Sequence, residues 1–171
     1  FNAYTGAGKK TANWPGVTVE LSEGSLMHRG RPVRLVDTPG IYSLDPYTME
    51  ETVTRQCIRD QKADVIIHVA DALLLERSLF LTMQLLAEGK PLVLALNMMD
   101  LVRERGMDID TEGLSRLLGG IPVIPVSARR RTGLEELMDA AVEAARARRT
   151  ADGSGRFVSG ARYSVYRSHS A

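Results

Sequence analysis

Short apolar runs alternate along this chain with longer amphipathic stretches. Val33-Arg34-Leu35-Val36, Val65-Ile66-Ile67-His68-Val69, Leu92-Val93-Leu94-Ala95-Leu96 and Val123-Ile124-Pro125-Val126 each end in polar residues, and they predict four strands. Between and after them, Glu50 to Gln61, Glu76 to Glu88, Thr111 to Leu118 and Gly133 to Arg148 carry helical periodicity. In the last, Leu134, Leu137, Met138, Ala141 and Val142 share one face. Strand then helix, repeated, predicts an α/β domain with a mainly parallel sheet. Ahead of the first strand, Val17 to Leu21 and Gly24 to His28 read as an extended segment that turns at Arg29-Gly30-Arg31-Pro32, a hairpin at a sheet edge. No internal repeat is visible.

Composition narrows this picture only in part. A chain of 171 residues is one ordinary domain, long enough to bury about 70% of its unfolded surface. With 22 basic and 21 acidic residues the net charge is +1, so no global field favours nucleic acid or an anionic membrane surface. The single cysteine, Cys57, reads as a small core or helix-face residue, and no Cys/His cluster has zinc-ligand spacing. The longest apolar stretches, Val65 to Leu75 and Pro91 to Met99, are interrupted or too short for the roughly 20 residues of a membrane-spanning helix. Phe1 opens into the chain without a basic start and apolar run, so no signal peptide is predicted, and the missing initiator Met suggests a start partway through a longer product. From about Arg146 the pattern decays into Arg, Ser and Gly, with Asp152 the one acid among six arginines. Residues 1–149 are therefore expected as the domain and 150–171 as a linker or solvated tail, with a docking segment or nucleic-acid contact as the other readings.

In parallel α/β sheets, ligands bind beyond the carboxyl ends of the strands, where Asp37, Asp71, Asn97 and Ser127 stand. Asp37-Thr38-Pro39-Gly40 follows its strand directly: the carboxylate there can hold Mg²⁺ through water while the Gly40 amide meets a terminal phosphate. A polar turn after a strand explains the same four residues. Asn97-Met98-Met99-Asp100 ends the next-to-last predicted strand. Guanine presents two donors, N1–H and its exocyclic amine, which one carboxylate accepts together, and adenine lacks that pair. At about 1.5–3 kcal/mol per charged hydrogen bond, Asp100 would set base choice by an order of magnitude or more. Asn97 would brace the loop or reach N7, although a helix N-cap would use the same Asp. After the last strand, the Ala128 N–H of Ser127-Ala128-Arg129 could donate to guanine O6 while Ser127 holds the loop. The order and spacing of the three motifs, rather than any one of them, point to a guanine nucleotide.

Asn13-Trp14-Pro15-Gly16-Val17-Thr18-Val19-Glu20, Asp37-Thr38-Pro39-Gly40-Ile41-Tyr42-Ser43-Leu44, Asn97-Met98-Met99-Asp100, Val69-Ala70-Asp71-Ala72 and Leu75-Glu76-Arg77-Ser78-Leu79 together resemble the G domain of the FeoB ferrous iron transporters over about Phe1 to Ala145. The Asn-Trp-Pro-Gly-Val-Thr segment is the specific part. The resemblance implies a three-layer P-loop NTPase fold of the Ras-like kind, here lacking the first strand and the phosphate loop. It implies GTP/GDP and Mg²⁺ as ligands, and K⁺ in some relatives. It also implies Thr18 as the switch I threonine that closes on Mg²⁺ and the terminal phosphate, and Asp37 and Gly40 as the switch II pair. Ferrous iron enters only as the ion carried by the full-length family. The implied partners are the helical and transmembrane regions of that transporter, with no nucleic acid, and the implied location is the cytoplasmic face of the bacterial inner membrane, the fragment itself being soluble.

Departures from the family pattern qualify these expectations. Residues 1–171 contain no Gly-x-x-x-x-Gly-Lys-Ser/Thr. Gly6-Ala7-Gly8-Lys9-Lys10-Thr11 has Lys10 where Ser/Thr must follow the lysine, so it reads as a solvated loop. An empty first-strand position would leave a gap in the sheet, with exposed backbone donors and acceptors, and the fragment is expected to fold poorly. Ile41 stands where Ras-type enzymes place a water-orienting glutamine, so turnover is expected near the unassisted Ras rate of about 10⁻⁴ s⁻¹. Two alternatives remain at this point: a soluble ribosome-assembly-type GTPase, and a non-catalytic interaction module.

Overall fold

A computed structural model describes residues 10–13, 20–45, 47–59, 63–151 and 163–169. The element order is β1 (Lys10–Asn13), β2 (Glu20–His28), β3 (Arg31–Asp37), α1 (Met49–Arg59), β4 (Val65–Asp71), a 3₁₀ turn (Ala72–Leu74), α2 (Leu75–Ala87), β5 (Leu92–Asn97), α3 (Met99–Glu104), α4 (Thr111–Leu117), β6 (Val123–Pro125), α5 (Leu134–Ala151) and β7 (Tyr163–His169). The four predicted strands and four predicted helices lie where periodicity put them. The expected hairpin is β2 and β3, joined at Arg29-Gly30. Both turn residues have positive φ, 46° and 74°, the geometry that matches the twist of paired strands. The hairpin is not the sheet edge, because β1 pairs antiparallel with β2 and lies outside it. Lys10 and Thr11 thus belong to a strand, in place of the expected solvated loop; Gly6 to Lys9 lie outside the described residues.

Among the described residues, seven strands form one sheet in the order β1-β2-β3-β7-β4-β5-β6. From β3 onward the pairings are parallel. The gap expected in the middle of the sheet is filled by β7, which pairs through Val33↔Tyr163 to Asp37↔Arg167 on one side and Val65↔Val165 to Val69↔His169 on the other. This corrects the expectation of a linker or tail from residue 150: α5 runs on to Ala151, and a strand follows at Tyr163–His169. The physical reason is backbone satisfaction. β4 is covered on both faces, and each buried N–H or C=O left unpaired costs about 1–3 kcal/mol.

Side chains alternate across the sheet and build two cores. On one face Val33, Leu35, Val65, Ile67, Val93 and Ala95 pack on Leu137, Met138, Ala141, Val142 and Ala145 of α5. On the other, Ile66 and Leu92 meet Ile58 of α1 and Leu81 and Leu85 of α2, while Leu94, Leu96 and Val123 meet Met99 and Val102 of α3. The result is three layers, helices on sheet on helices. Cys57 is fully buried on α1. His68, in the middle of β4, is also fully buried, with its Nδ1 3.0 Å from the Thr82 hydroxyl. Among the described residues no helix is long and apolar enough to cross a membrane.

The β2–β3 turn is tied to α5 at the sheet's amino rim. Asp139 meets the His28 Nε2 at 2.6 Å and the Arg29 guanidinium at 2.6 Å. The His28 hydrogen bond, helped by the Arg29 charge and outweighing partial burial, holds the Asp139 carboxyl below its ordinary value of 3.8. A carboxylate whose folded pKa is depressed contributes stability above its unfolded pKa and loses it as pH falls through the folded one. Asp139→Asn is therefore expected to lower stability at neutral pH and to converge with the parent protein at low pH. Urea melts at pH 7 and pH 3 check this; an equal deficit at both would refute it.

Candidate nucleotide-binding rim

Because β3, β4, β5 and β6 run parallel, their carboxyl ends emerge on one rim of the sheet. Asp37 ends β3, Asp71 ends β4 and Asn97 ends β5, with Asp71 directly in register with Asn97. Ser127 and Ala128 follow β6. From β3 to β5 is three strand positions, about 14 Å at about 4.8 Å each, a span suited to an extended nucleotide. Thr18 lies outside the described residues, as does Trp14. Asp37, Asn97, Ser127 and Ala128 end or follow strands of this rim, Asp100 joins them from the first turn of α3, and Gly40 lies three residues beyond Asp37 in the loop after β3.

The base end of the rim is two loops sewn together. Asn97 Oδ1 accepts the Ala128 N–H at 3.1 Å, so Asn97 braces the loop after β6 and occupies the donor assigned to guanine O6. That loop closes on itself: Ser127 and Thr132 exchange both backbone hydrogen bonds at 3.1 Å, and the Arg130 N–H donates to Ser127 Oγ at 3.1 Å. Met98 takes a left-handed conformation, φ 66°, to turn from β5 into α3, which costs a non-glycine residue about 1–2 kcal/mol. This turn sends Asp100 back under the second loop.

Asp100 is a buried carboxylate, its side chain 6% exposed. Burial alone would push its pKa up, but hydrogen bonds from Ser127 and Arg129 and the Arg129 charge outweigh this and hold the group below the ordinary carboxylate range. It is an ionised acceptor at neutral pH. Its Oδ2 accepts a hydrogen bond from the Arg129 Nε–H at 3.1 Å and lies 2.9 Å, as an ion pair, from a terminal nitrogen of the same guanidinium, which donates to Glu104 Oε1 at 3.4 Å. Sequence reasoning missed this arginine, although Arg129 directly follows Ser127-Ala128.

At the opposite end of the rim, Asp37 is half-buried and Thr38 buried. The loop beyond them is anchored in the core. Ile41 and Leu44 pack with Ile58, Ile66, Leu81 and Leu85. The Arg77 guanidinium lies 3.6 Å from the Tyr42 ring centroid, and the Leu44 N–H donates to Gln84 Oε1 at 2.7 Å. Asp71 acts locally, where its Oδ1 accepts the Leu73 N–H at 2.8 Å and caps the 3₁₀ turn. Among the described residues no group of three or more His, Cys, Asp or Glu gathers that could hold a metal. A cation here would take most of its ligands from phosphate oxygens and water, as Mg²⁺ does when one carboxylate anchors it. Asp37 fits that single role.

Residues 1–141 match the family described as "Ferrous iron transport protein B". The chain is 45% identical over 141 residues to the Fe(2+) transporter FeoB of Legionella pneumophila (strain Paris), covering 80% of this chain and 19% of the transporter. Among solved structures it is similar to the cytosolic domain of the T. maritima FeoB iron transporter in a GDP form, with a TM-score of 0.81, 41% identity, and 85% of this chain and 56% of that chain covered. It is likewise similar to the FeoB G-domain from Methanococcus jannaschii, with a TM-score of 0.74, 38% identity, and 85% and 87% covered.

The base-end loop depends on one residue without a side chain. Gly133 has φ +71°, and a Cβ there would stand 2.2 Å from the Pro125 carbonyl oxygen. Neither the conformation nor the space admits a methyl group, so Gly133→Ala is expected to cost about 2 kcal/mol or more. A denaturant midpoint within error of the parent protein would overturn this.

Proposed function

The chain belongs to the ferrous iron transport protein B family, and on that premise we propose that residues 1–149 are its guanine-nucleotide-binding domain, which binds and hydrolyses GTP to regulate ferrous iron transport across the bacterial inner membrane. The observation that carries this reading is the buried, ionised Asp100 on the same rim as Asp37, flanked by Asn97, Ser127 and Ala128. The GDP form of the T. maritima relative supports it. Asp100 would accept the N1–H and exocyclic amine of guanine, with Asn97 holding the two base loops at a fixed separation. Asp37 would hold Mg²⁺ together with Thr18, and the Gly40 amide would meet the terminal phosphate. When bound, Mg²⁺ neutralises charge developing on the phosphate oxygens. K⁺ would serve as a further cation, as in some relatives. Ferrous iron is the cargo of the whole transporter. Its helical and transmembrane regions are the partners, and the domain would lie on the cytoplasmic face. Neither a ribosome-assembly role nor a purely non-catalytic module is favoured by these similarities.

Affinity depends on a Gly-x-x-x-x-Gly-Lys-Ser/Thr phosphate loop, a motif that residues 1–171 do not contain. It would supply a nest of N–H donors, a lysine charge and a Mg²⁺ ligand, so residues 1–171 are expected to bind GTP more weakly than micromolar. At millimolar GDP, amide shifts are expected in Asn97 to Asp100 and Ser127 to Ala128, with ADP producing none. Asp100→Ala is expected to weaken GDP by an order of magnitude or more and to leave ADP unchanged. Equal perturbation by the two nucleotides would sink the guanine reading, and micromolar GTP affinity would sink the weak-binding expectation.

Hydrolysis would gain nothing from residue 41. Ile41 is 2% exposed and packs in the core rather than facing the rim. Ile41→Gln is therefore expected to destabilise the fold by about 2–3 kcal/mol, because an amide is buried where it has no partner, without raising GTP turnover. A stable variant with faster turnover would overturn this.

A further inference from the structure

The Asp100 carboxylate is already engaged by donors. Arg129 brings Nε at 3.1 Å and a terminal nitrogen at 2.9 Å to the same oxygen, Oδ2, and the Arg130 Nε lies 3.6 Å from it. The arrangement is chemically pointed, because the N1–C2–N2 edge of guanine is itself a guanidine unit. An arginine and a guanine edge offer a carboxylate the same kind of N–H donor, and here the Arg129 Nε–H occupies Oδ2, one of the two oxygens a guanine edge would use. We propose that Arg129 is a gate on base recognition: it occupies the Asp100 acceptor as a stand-in for guanine, so a guanine nucleotide binds by exchanging donors with Arg129 rather than by filling an open site.

Burial and exposure are divided in the way such an exchange requires. The Asp100 side chain is 6% exposed, whereas that of Arg129 is 65% exposed, so the carboxylate stays fixed while the guanidinium can leave toward solvent. A second carboxylate waits for it. Glu104, half-exposed at the end of α3, is 3.4 Å from the same Arg129 terminal nitrogen and also pairs closely with Arg130. Once guanine takes Asp100, the displaced arginine keeps an ion pair with Glu104. Between nucleotides, Arg129 holds the buried carboxylate neutralised, which an empty base site would otherwise leave as an uncompensated charge. Adenine lacks the donor pair and cannot make the exchange, so the gate also sharpens discrimination between purines.

The inference rests on the guanine-nucleotide reading above, and its test separates the two. GDP affinity is measured for the 171-residue chain, for Arg129→Ala and for Glu104→Ala, with ADP as control, and the Arg129 Nε–H resonance is followed by ¹⁵N NMR. Removing the competitor is expected to tighten GDP about three- to tenfold, as for a partly exposed ion pair. Removing the parking carboxylate should weaken GDP about twofold, and GDP but not ADP should move the Nε–H signal of the parent chain. GDP binding that leaves this signal in place, or an Arg129→Ala variant that binds GDP no tighter and only melts earlier, overturns the gate and leaves the nucleotide reading standing. No GDP binding by any of the three at millimolar concentration overturns both.

Discussion

Every backbone donor and acceptor in a sheet covered on both faces must find a partner, and this requirement governs the middle of the molecule. β4 carries five apolar residues in its seven, Val65, Ile66, Ile67, Val69 and Ala70, and helices pack on both of its sides. Such a strand cannot serve as an edge. β5 pairs with one side of it and β7 with the other, so the parallel run from β3 to β6 is unbroken. β7 is an unusual occupant. Strands buried on both faces tend to be continuously apolar, as Leu92 to Leu96 are, yet Ser164, Arg167, Ser168 and His169 make four of its seven residues polar. Backbone pairing, more than side-chain composition, accounts for its place.

The same sheet sets the chemistry of the rim. Parallel alignment brings every strand's last residue to one side, and a loop leaving there must turn sharply before it meets a helix. The left-handed residues mark where this happens: Met98 after β5, Arg131 and Gly133 after β6. The strain at Met98 directs Asp100 inward, where burial alone would favour its neutral form. Ser127 and Arg129 reverse that preference. Water competes poorly for a fixed carboxylate kept ionised beneath a closed loop, and Asn97 keeps the loop closed by holding the Ala128 N–H.

Much of this is legible in the sequence because the signals are local. Apolar runs ending in polar residues mark β3 to β6, the one-sided pattern of Leu137, Met138, Ala141 and Val142 marks α5, and motif order marks the rim. The rest depends on distant partners. No periodicity in Tyr163 to His169 announces a central strand, because its place is fixed by the open edges of β3 and β4. Likewise β1 exists only through pairing with β2. Arg129 stands in plain view, but its partner Asp100 lies on another loop, and pairing across loops is invisible to spacing. The aliphatic side chain of Ile41 already says that it cannot orient water. That it lies in the core requires knowing where the loop beyond Gly40 goes.

The loop after β3 ties the Asp37 end of the rim to the second helix layer. Asp37 lies on the rim, yet four residues later Ile41 is a core side chain, and Leu44 follows it into the same cluster. Between them Tyr42 lies under Arg77, and Gln84 holds Leu44 through its backbone and Asp45 through its carboxylate. Arg77 and Gln84 lie two turns apart on α2, so this helix grips the loop at two points. A change at Asp37 or Gly40 would therefore reach α2 through packed and hydrogen-bonded contacts. The Asp100 end also reaches α2, through Leu75 and Leu79, which pack on the cluster of Leu96, Met99 and Val102, while its hydrogen bonds run from α3 to the loop after β6. The two ends of the rim thus meet α2 in different ways: the Asp37 end through a stacked arginine and side-chain hydrogen bonds, and the Asp100 end through apolar packing beneath α3.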